Sequence, residues 1–178
     1  MKEIYLDNNL ALAVLRESDI DELAAIVRAN LPHIGAWMIW AVPDYGEKQA
    51  REFVERNMGA EAGAQSFGVF YRGSLSGCAG YVARDEKGVA EIGYWIDRDL
   101  QGKGLVTRLA RALVDHAFRD LNVDRVEIRA AALNFRSRAV AERLRFDQEA
   151  RLKDAHPLPN GIIDDLVVYS MHKRNWDL

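Results

Sequence analysis

Between Glu91 and Leu113 the chain reads EIGYWIDRDLQGKGLVTRLARAL, an alternating stretch that hands over to a helical repeat, with Gly102-Lys103-Gly104 at the junction. The first turn of a helix leaves several backbone N–H groups without internal acceptors, and these carry the positive end of the helix dipole. Glycine lets a bulky anion come close to that backbone, and Lys103 adds a full charge beside it. Arg108 and Arg111 follow within the next two turns. The junction suits a phosphate or pyrophosphate; plain turn geometry is the competing reading.

Three phosphate compounds compete. A nucleoside-triphosphate loop needs GxxxxGK[ST], but here Lys103 precedes Gly104 and no glycine stands in the upstream place. A dinucleotide fingerprint needs GxGxxG, and Gly102-Lys103-Gly104-Leu105-Val106-Thr107 lacks its third glycine. Asp124 lies near the distance expected for the ribose-binding acid but begins a strand instead of ending one, and the strands before the junction read as hairpins. The third rests on a family resemblance, set out below on the residues that carry it.

The elements that must position this junction follow from patterning. LALAVLR (10–16) reads as a strand, and Ser18 as the N-cap of a helix through about residue 29, with Asp21 and Glu22 in its first turn. The stretch 31–46, with two prolines and two tryptophans, does not read as regular structure, and a second helix is expected over 47–58. QSFGVFYRG, SLSGCAGYVARDE and GVAEIGYWIDRD read as three antiparallel strands, the first two joined by a turn at Gly73-Ser74. Leu105, Leu109, Leu113, Ala117 and Leu121 then recur at helical spacing. DRVEIRAAAL returns as a strand parallel to the one before that helix. A short helix over NFRSRAVAERLR and a closing strand pair around Pro157–Gly161 complete the order β-α-α-β-β-β-α-β-α-β-β. The expected fold is one α/β (α+β) domain over 1–178, a mixed, mostly antiparallel central sheet with helices on both faces.

Composition narrows the function. At 178 residues and net charge −3, without a Lys/Arg run longer than two, nucleic acid is not the expected partner. No apolar run reaches the roughly 20 residues of a membrane span, and MKEIYLDNN lacks the pattern of a secretion signal, so a cytoplasmic protein is expected. One cysteine, Cys78, and four scattered histidines give no metal-ligand spacing, so no metal is expected. Cys78 itself, in an apolar strand, reads as packing rather than as a nucleophile.

The stretch 91–113, together with NFRSRAVAERLRF (134–146), resembles the GNAT superfamily of acyl-CoA-dependent N-acetyltransferases. The signature [R/Q]-x-x-G-x-[G/A] is matched by Gln101-Gly102-Lys103-Gly104-Leu105-Val106, with Val106 departing from the usual Gly or Ala. AEIGYWIDRDLQGKG, the N-x-x-S of Asn134–Ser137 and DDLVVYSMHKRNW look like the branch that acetylates the N-terminal amine of ribosomal proteins (Rim-type). The resemblance implies the GNAT fold and acetyl-CoA as co-substrate. It implies that amides of Gln101–Thr107 hold the pyrophosphate and that Trp95-Ile96-Asp97 pair with the pantetheine arm. An amide near the end of that strand would polarise the thioester carbonyl. Asn134 matches an asparagine that hydrogen-bonds the arm. Many relatives carry, seven residues later, a tyrosine that protonates the leaving thiolate; here Ala141 stands there, and Ser137 resembles the hydroxyl used instead in the Rim-type branch. Arg145 stands where a Gly-Phe ending has glycine. Relatives often pair through their C-terminal strands, which makes a homodimer plausible.

Transfer of an acyl group to an amine needs a neutral amine, donors fixed on the oxyanion and a stabilised thiolate. At pH 7, deprotonating an α-amine costs about 1.4 kcal/mol and a lysine amine about 4.6 kcal/mol. A protein N-terminus therefore needs only a modest base, acting through water if necessary. Glu91 resembles a glutamate used as base by some relatives and competes with a plain ion pair; His156, in a Pro-rich turn, is the residue type whose unperturbed pKa suits proton exchange near neutrality, and it competes with an exposed loop histidine. Asp164 and Asp165 read as structural. Trp37, Trp40 and Tyr45 are candidates for the acceptor wall, against an aromatic satellite core. The expected reaction is direct transfer to a protein N-terminus. A small amine such as a polyamine is the second acceptor, and a non-catalytic acyl-CoA sensor, suggested by Ala141, is the rival of another class.

Overall fold

The computed structural model describes residues 3–58, 65–84 and 88–176. Eight strands form one sheet: β1 (Glu3–Tyr5), β2 (Leu10–Ala13), β3 (Ser66–Tyr71), β4 (Ser74–Arg84), β5 (Val89–Ile96), β6 (Arg125–Ala131), β7 (Asp147–Pro157) and β8 (Ile163–His172). Four helices complete the described elements: α1 (Ile20–Ile34), α2 (Glu47–Met58), α3 (Leu105–Asp120) and α4 (Phe135–Arg143). The strand order is β1-β2-β3-β4-β5-β6-β8-β7. Every neighbouring pair is antiparallel except β5 and β6, joined through α3. The mixed sheet with helices on both faces matches the sequence expectation.

The core is two clusters, one on each face of the sheet. Leu105, Leu109, Leu113 and Ala117 of α3 pack with Ile92 of β5 and Val140 and Ala141 of α4. On the other face, Leu23 and Val27 of α1 and Ala50 and Val54 of α2 pack on Cys78 of β4 and Trp95 of β5. Residues alternate between faces along a strand. Trp95 thus points to the α1–α2 side, with Glu91 on the same face, while Ile92 and Tyr94 point to the α3–α4 side.

Several local expectations are corrected. A short strand, β1, precedes the first expected one, which spans only residues 10–13. Ser18 is not an N-cap: residues 17–19 form a 3-10 turn, and α1 starts at Ile20 with Asp19 accepting from the Arg16 N–H. The helix does not stop near 29 but runs to Ile34 with Pro32 in its last turn, where an exposed, single lost N–H is tolerated. The β3–β4 turn is Arg72-Gly73, because Tyr71 already pairs with Ser74. His156 is not in a turn but inside β7, opposite Asp164. Arg145 has φ +59°, the left-handed conformation in which glycine is free of a Cβ clash and arginine is not.

Candidate active site

The site is built where β5 and β6 part. Their parallel ladder holds only at Val89–Arg125, Ala90–Val126 and Glu91–Glu127. Beyond it, β5 stays with β4 and β6 stays with β8. The Asp97 N–H bonds the Ser76 carbonyl across to β4 at 2.8 Å. By alternation, Ile96 and Tyr94 turn their backbone N–H and C=O toward the open side. A Cβ on Gly77 would run into the Trp95 carbonyl, so the glycine is what lets β4 hold this end of β5 so closely.

After Ile96 the chain passes a 3-10 turn, residues 98–100, whose Asp99 N–H is bonded by the Asp97 carboxylate at 2.9 Å. It then enters α3 through Gly102 at φ +74° and Gly104 at φ +73°. Gly104 is the N-cap and has no side chain to satisfy the first turn. Arg108 N–H is bonded by the Gly104 carbonyl at 3.2 Å, so the helix ladder begins only there and Leu105, Val106 and Thr107 present their amides ahead of it. No atom lies within 4 Å of where a Cβ on Gly102 or Gly104 would stand. Both glycines are needed for backbone conformation, and the space beside them is open.

Cations around this turn differ from the sequence reading. Arg108 ion-pairs with Asp7 at 2.5 Å, and Arg111 stacks on Trp176, 5.0 Å from the ring centre. Instead, α4 supplies two arginines: Arg136 donates to the Gln101 side-chain carbonyl, and Arg143 to the Thr107 hydroxyl at 3.4 Å. Gln101 also meets His33 of α1. Burial, Arg136 and Arg98 together hold the His33 imidazole below its ordinary pKa. With exposed Lys103, this is a cradle of amides and cations open to solvent, and it fits a diphosphate.

Asn134 caps α4, its side-chain oxygen accepting from the Ser137 N–H at 3.1 Å. Ser137 is therefore not the cap, and its hydroxyl turns across the parting to Tyr94 at 3.3 Å. The Tyr94 hydroxyl donates to the Ser137 carbonyl at 3.1 Å. Tyr94 was missed in the sequence. Its signal was there only as an alternating position facing the α3–α4 side.

Glu91 is half-buried and lies 3.4 Å from Arg129. Arg129 is held more tightly by Glu127, at 2.8 Å, and Glu127 also takes Arg125. Burial pushes the Glu91 carboxyl above its ordinary value; Arg129 opposes this and Glu127 adds to it. Trp40 is 44% exposed and leans on Trp95 and Tyr45, with ring centres 6.2 and 5.9 Å apart. Trp37 is half-buried on the same irregular segment. Among the described residues, no hydrogen bond or ion pair joins Glu91, Ser137 and His156 to one another. Asp165 is structural, bonding Arg151 at 2.6 Å, and Asp164 accepts from the Leu133 N–H at 2.8 Å.

The model of the acetyltransferase (GNAT) domain matches residues 9–147. The chain belongs to the GNAT acetyltransferase family. A Bacillus subtilis (strain 168) protein named as a ribosomal N-acetyltransferase, YdaF, is 34% identical over 176 residues, 97% of this chain and 96% of that one. The solved structure of RimL, a ribosomal L7/L12 alpha-N-protein acetyltransferase in complex with coenzyme A, superposes with a TM-score of 0.91 at 26% identity. It covers 96% of this chain and 98% of that one. The microcin C7 self-immunity acetyltransferase MccE, in complex with acetyl-CoA and AMP, gives a TM-score of 0.88 at 26% identity, covering 95% of each chain. This GNAT chain is an N-acetyltransferase. Among its described residues no helix is long and apolar enough to cross a membrane, and no cluster of three or more His, Cys, Asp or Glu could hold a metal ion.

Proposed function

We propose that this GNAT enzyme transfers the acetyl group of acetyl-CoA to the N-terminal α-amine of a ribosomal protein, by direct attack on the thioester. The observation that carries this reading is the parting of β5 and β6 between the amide cradle of α3 and the Ser137–Tyr94 hydroxyl pair. The likeness to YdaF and RimL over nearly the whole chain supports the acceptor class.

The Gln101 N–H is already bonded to the Arg98 carbonyl at 3.2 Å, so amides of the remaining turn, residues 102–107, hold the diphosphate, with Lys103, Arg136 and Arg143 around it. The pantetheine arm runs along the free edge of β5 at Trp95, Ile96 and Asp97, where the alternation of the ladder offers the Ile96 N–H to the thioester carbonyl. That amide stabilises the oxyanion. The Ser137 hydroxyl donates to the departing sulfur. Asn134, already the cap of α4, holds the helix start against the arm. The acceptor enters on the opposite face, past Trp37 and Trp40, where Trp95 marks the strand end; Tyr45 is buried in the core and backs Trp40. Glu91, on that same face, draws the proton from the amine. It stands five residues from Ile96, about 16 Å along the strand, so the proton passes through water. His156, opposite Asp164 on the edge strand β7, is separated from β5 by β8 and β6 and takes no part in this path.

The raised Glu91 carboxyl must be ionised to act, so turnover falls as pH drops through its pKa. Arg129 favours the ionised form. Arg129→Gln should therefore move the acid limb of kcat/KM to higher pH while leaving the alkaline limb in place. A limb that stays put would remove Glu91 as the base.

A small-molecule amine is the second reading, favoured by the likeness to MccE. Thiol release from acetyl-CoA with a panel of ribosomal-protein N-terminal peptides, their Nα-blocked forms, and polyamines separates the two. Turnover on free N-termini and none on blocked peptides is the expected result. Turnover on polyamines alone would overturn the proposed acceptor.

A further inference from the structure

We propose that the Tyr94 hydroxyl is a positioning group for Ser137, turning two neighbouring hydroxyls into one donor chain aimed at the sulfur of the bound coenzyme. This rests on the coenzyme reading above but not on the identity of the acceptor.

Tyr94 has one hydroxyl hydrogen, and it lies on the Ser137 carbonyl at 3.1 Å. At the 3.3 Å contact between the two hydroxyls, Ser137 is therefore the donor and Tyr94 the acceptor. Ser137 thus stands at the mouth of the parting with its hydrogen parked on the phenol. When the C–S bond breaks, its electron pair goes to sulfur. The Ser137 hydrogen then swings to the thiolate, and the Tyr94 hydrogen swings from the carbonyl to the Ser137 oxygen. The result is a chain O–H···O–H···S⁻, in which each bond polarises the next. Neither hydroxyl loses its proton. The sulfur is protonated later from solvent, and the amine proton leaves separately through the base.

The surroundings fit a donor that never ionises. Tyr94 is half-buried with its hydroxyl turned inward on α4, and burial pushes the phenol up to about 12. A thiol ordinarily titrates near about 8.5, so a thiolate does not strip this phenol. The charged and titratable groups facing it are Arg143 on α4 and Tyr169 on β8. Tyr169 is itself occupied by Arg138 and Glu142 of α4, at 3.0 and 2.9 Å. The phenol that position 141 lacks thus comes from β5; Ala141 is fully buried in the core.

The test reads the thiol of coenzyme A in the binary complex, where no acceptor is needed. Thiolate absorbance is titrated with pH in the wild type, in Tyr94→Phe, Ser137→Ala and Ser137→Thr, and in the double variant that combines Tyr94→Phe with Ser137→Ala. Calorimetric binding of coenzyme A is measured on each sample. The protein's own thiol stays silent, because burial pushes Cys78 up to about 12. Tyr94→Phe should raise the bound thiol pKa by about one unit, matching a kcat loss of about ten-fold without change in the KM for acetyl-CoA. Ser137→Ala should raise it further, Ser137→Thr should retain the wild-type value, and the double variant should equal Ser137→Ala. Tight binding with the same thiol pKa in wild type and Tyr94→Phe, or additive shifts in the double variant, would overturn the donor chain alone. No binding by the wild type would overturn the coenzyme reading as well.

Discussion

Gly104→Val should weaken coenzyme A binding by at least about 100-fold while the protein stays folded. At φ +73° a β-branched residue sits in a left-handed conformation that disfavours it by about 1–2 kcal/mol. For a chain of this size that lowers Tm by roughly 3–6 °C. The fold otherwise has room, since nothing lies within 4 Å of the new Cβ. The same open space is where a diphosphate must sit to reach the amides of Leu105–Thr107. Two methyl groups there hold the anion off the backbone, and losing a few charge-assisted hydrogen bonds of about 1.5–3 kcal/mol each readily gives two orders of magnitude. Calorimetric titration beside a thermal melt separates the effects. A folded Gly104→Val variant that binds like the wild type would mean that the coenzyme does not use this turn.

Ser137→Ala should lower kcat by about 100-fold, with the KM for acetyl-CoA within about two-fold of the wild type; one fixed hydrogen-bond donor to developing charge is worth about 100- to 1,000-fold. The cap of α4 is the Asn134 side chain on the Ser137 N–H, which alanine keeps. The substitution therefore removes the hydroxyl without loosening the helix start. Steady-state kinetics with acetyl-CoA and a competent N-terminal peptide give both constants. An unchanged kcat would take Ser137 out of the chemistry; a KM rise with constant kcat would reduce it to a binding contact.

The junction at Gly102–Gly104 was legible because its physics is local: positive φ, a helix start and a charge all lie within a few residues. The α3 stripe was legible for the same reason, and Leu105, Leu109, Leu113 and Ala117 are all buried. Pairings set by tertiary structure were not. Tyr94 and Ser137 are 43 residues apart and meet only because β5 and β6 separate after Glu91. Arg108 and Arg111 looked like phosphate partners by proximity in sequence. Their side chains, however, are already taken, by the Asp7 carboxylate and by the face of Trp176. The arginines that do reach the turn come from α4, a placement no spacing in the sequence encodes. Pro32 misled the end of α1, since a proline in an exposed last turn removes one bond without stopping the helix. Arg145 is the reverse case: the family pattern has glycine there, and the left-handed backbone at that residue supplies the reason.

Isothermal titration of the wild-type protein with acetyl-CoA, and in parallel with acetylated pantetheine lacking the diphosphate and nucleotide, bears most directly on the reading that the start of α3 grips the coenzyme. Saturable one-to-one heat with acetyl-CoA and none with the pantetheine fragment at the same concentration is the result expected. Equal binding of the two, or no saturable heat with acetyl-CoA, would contradict it.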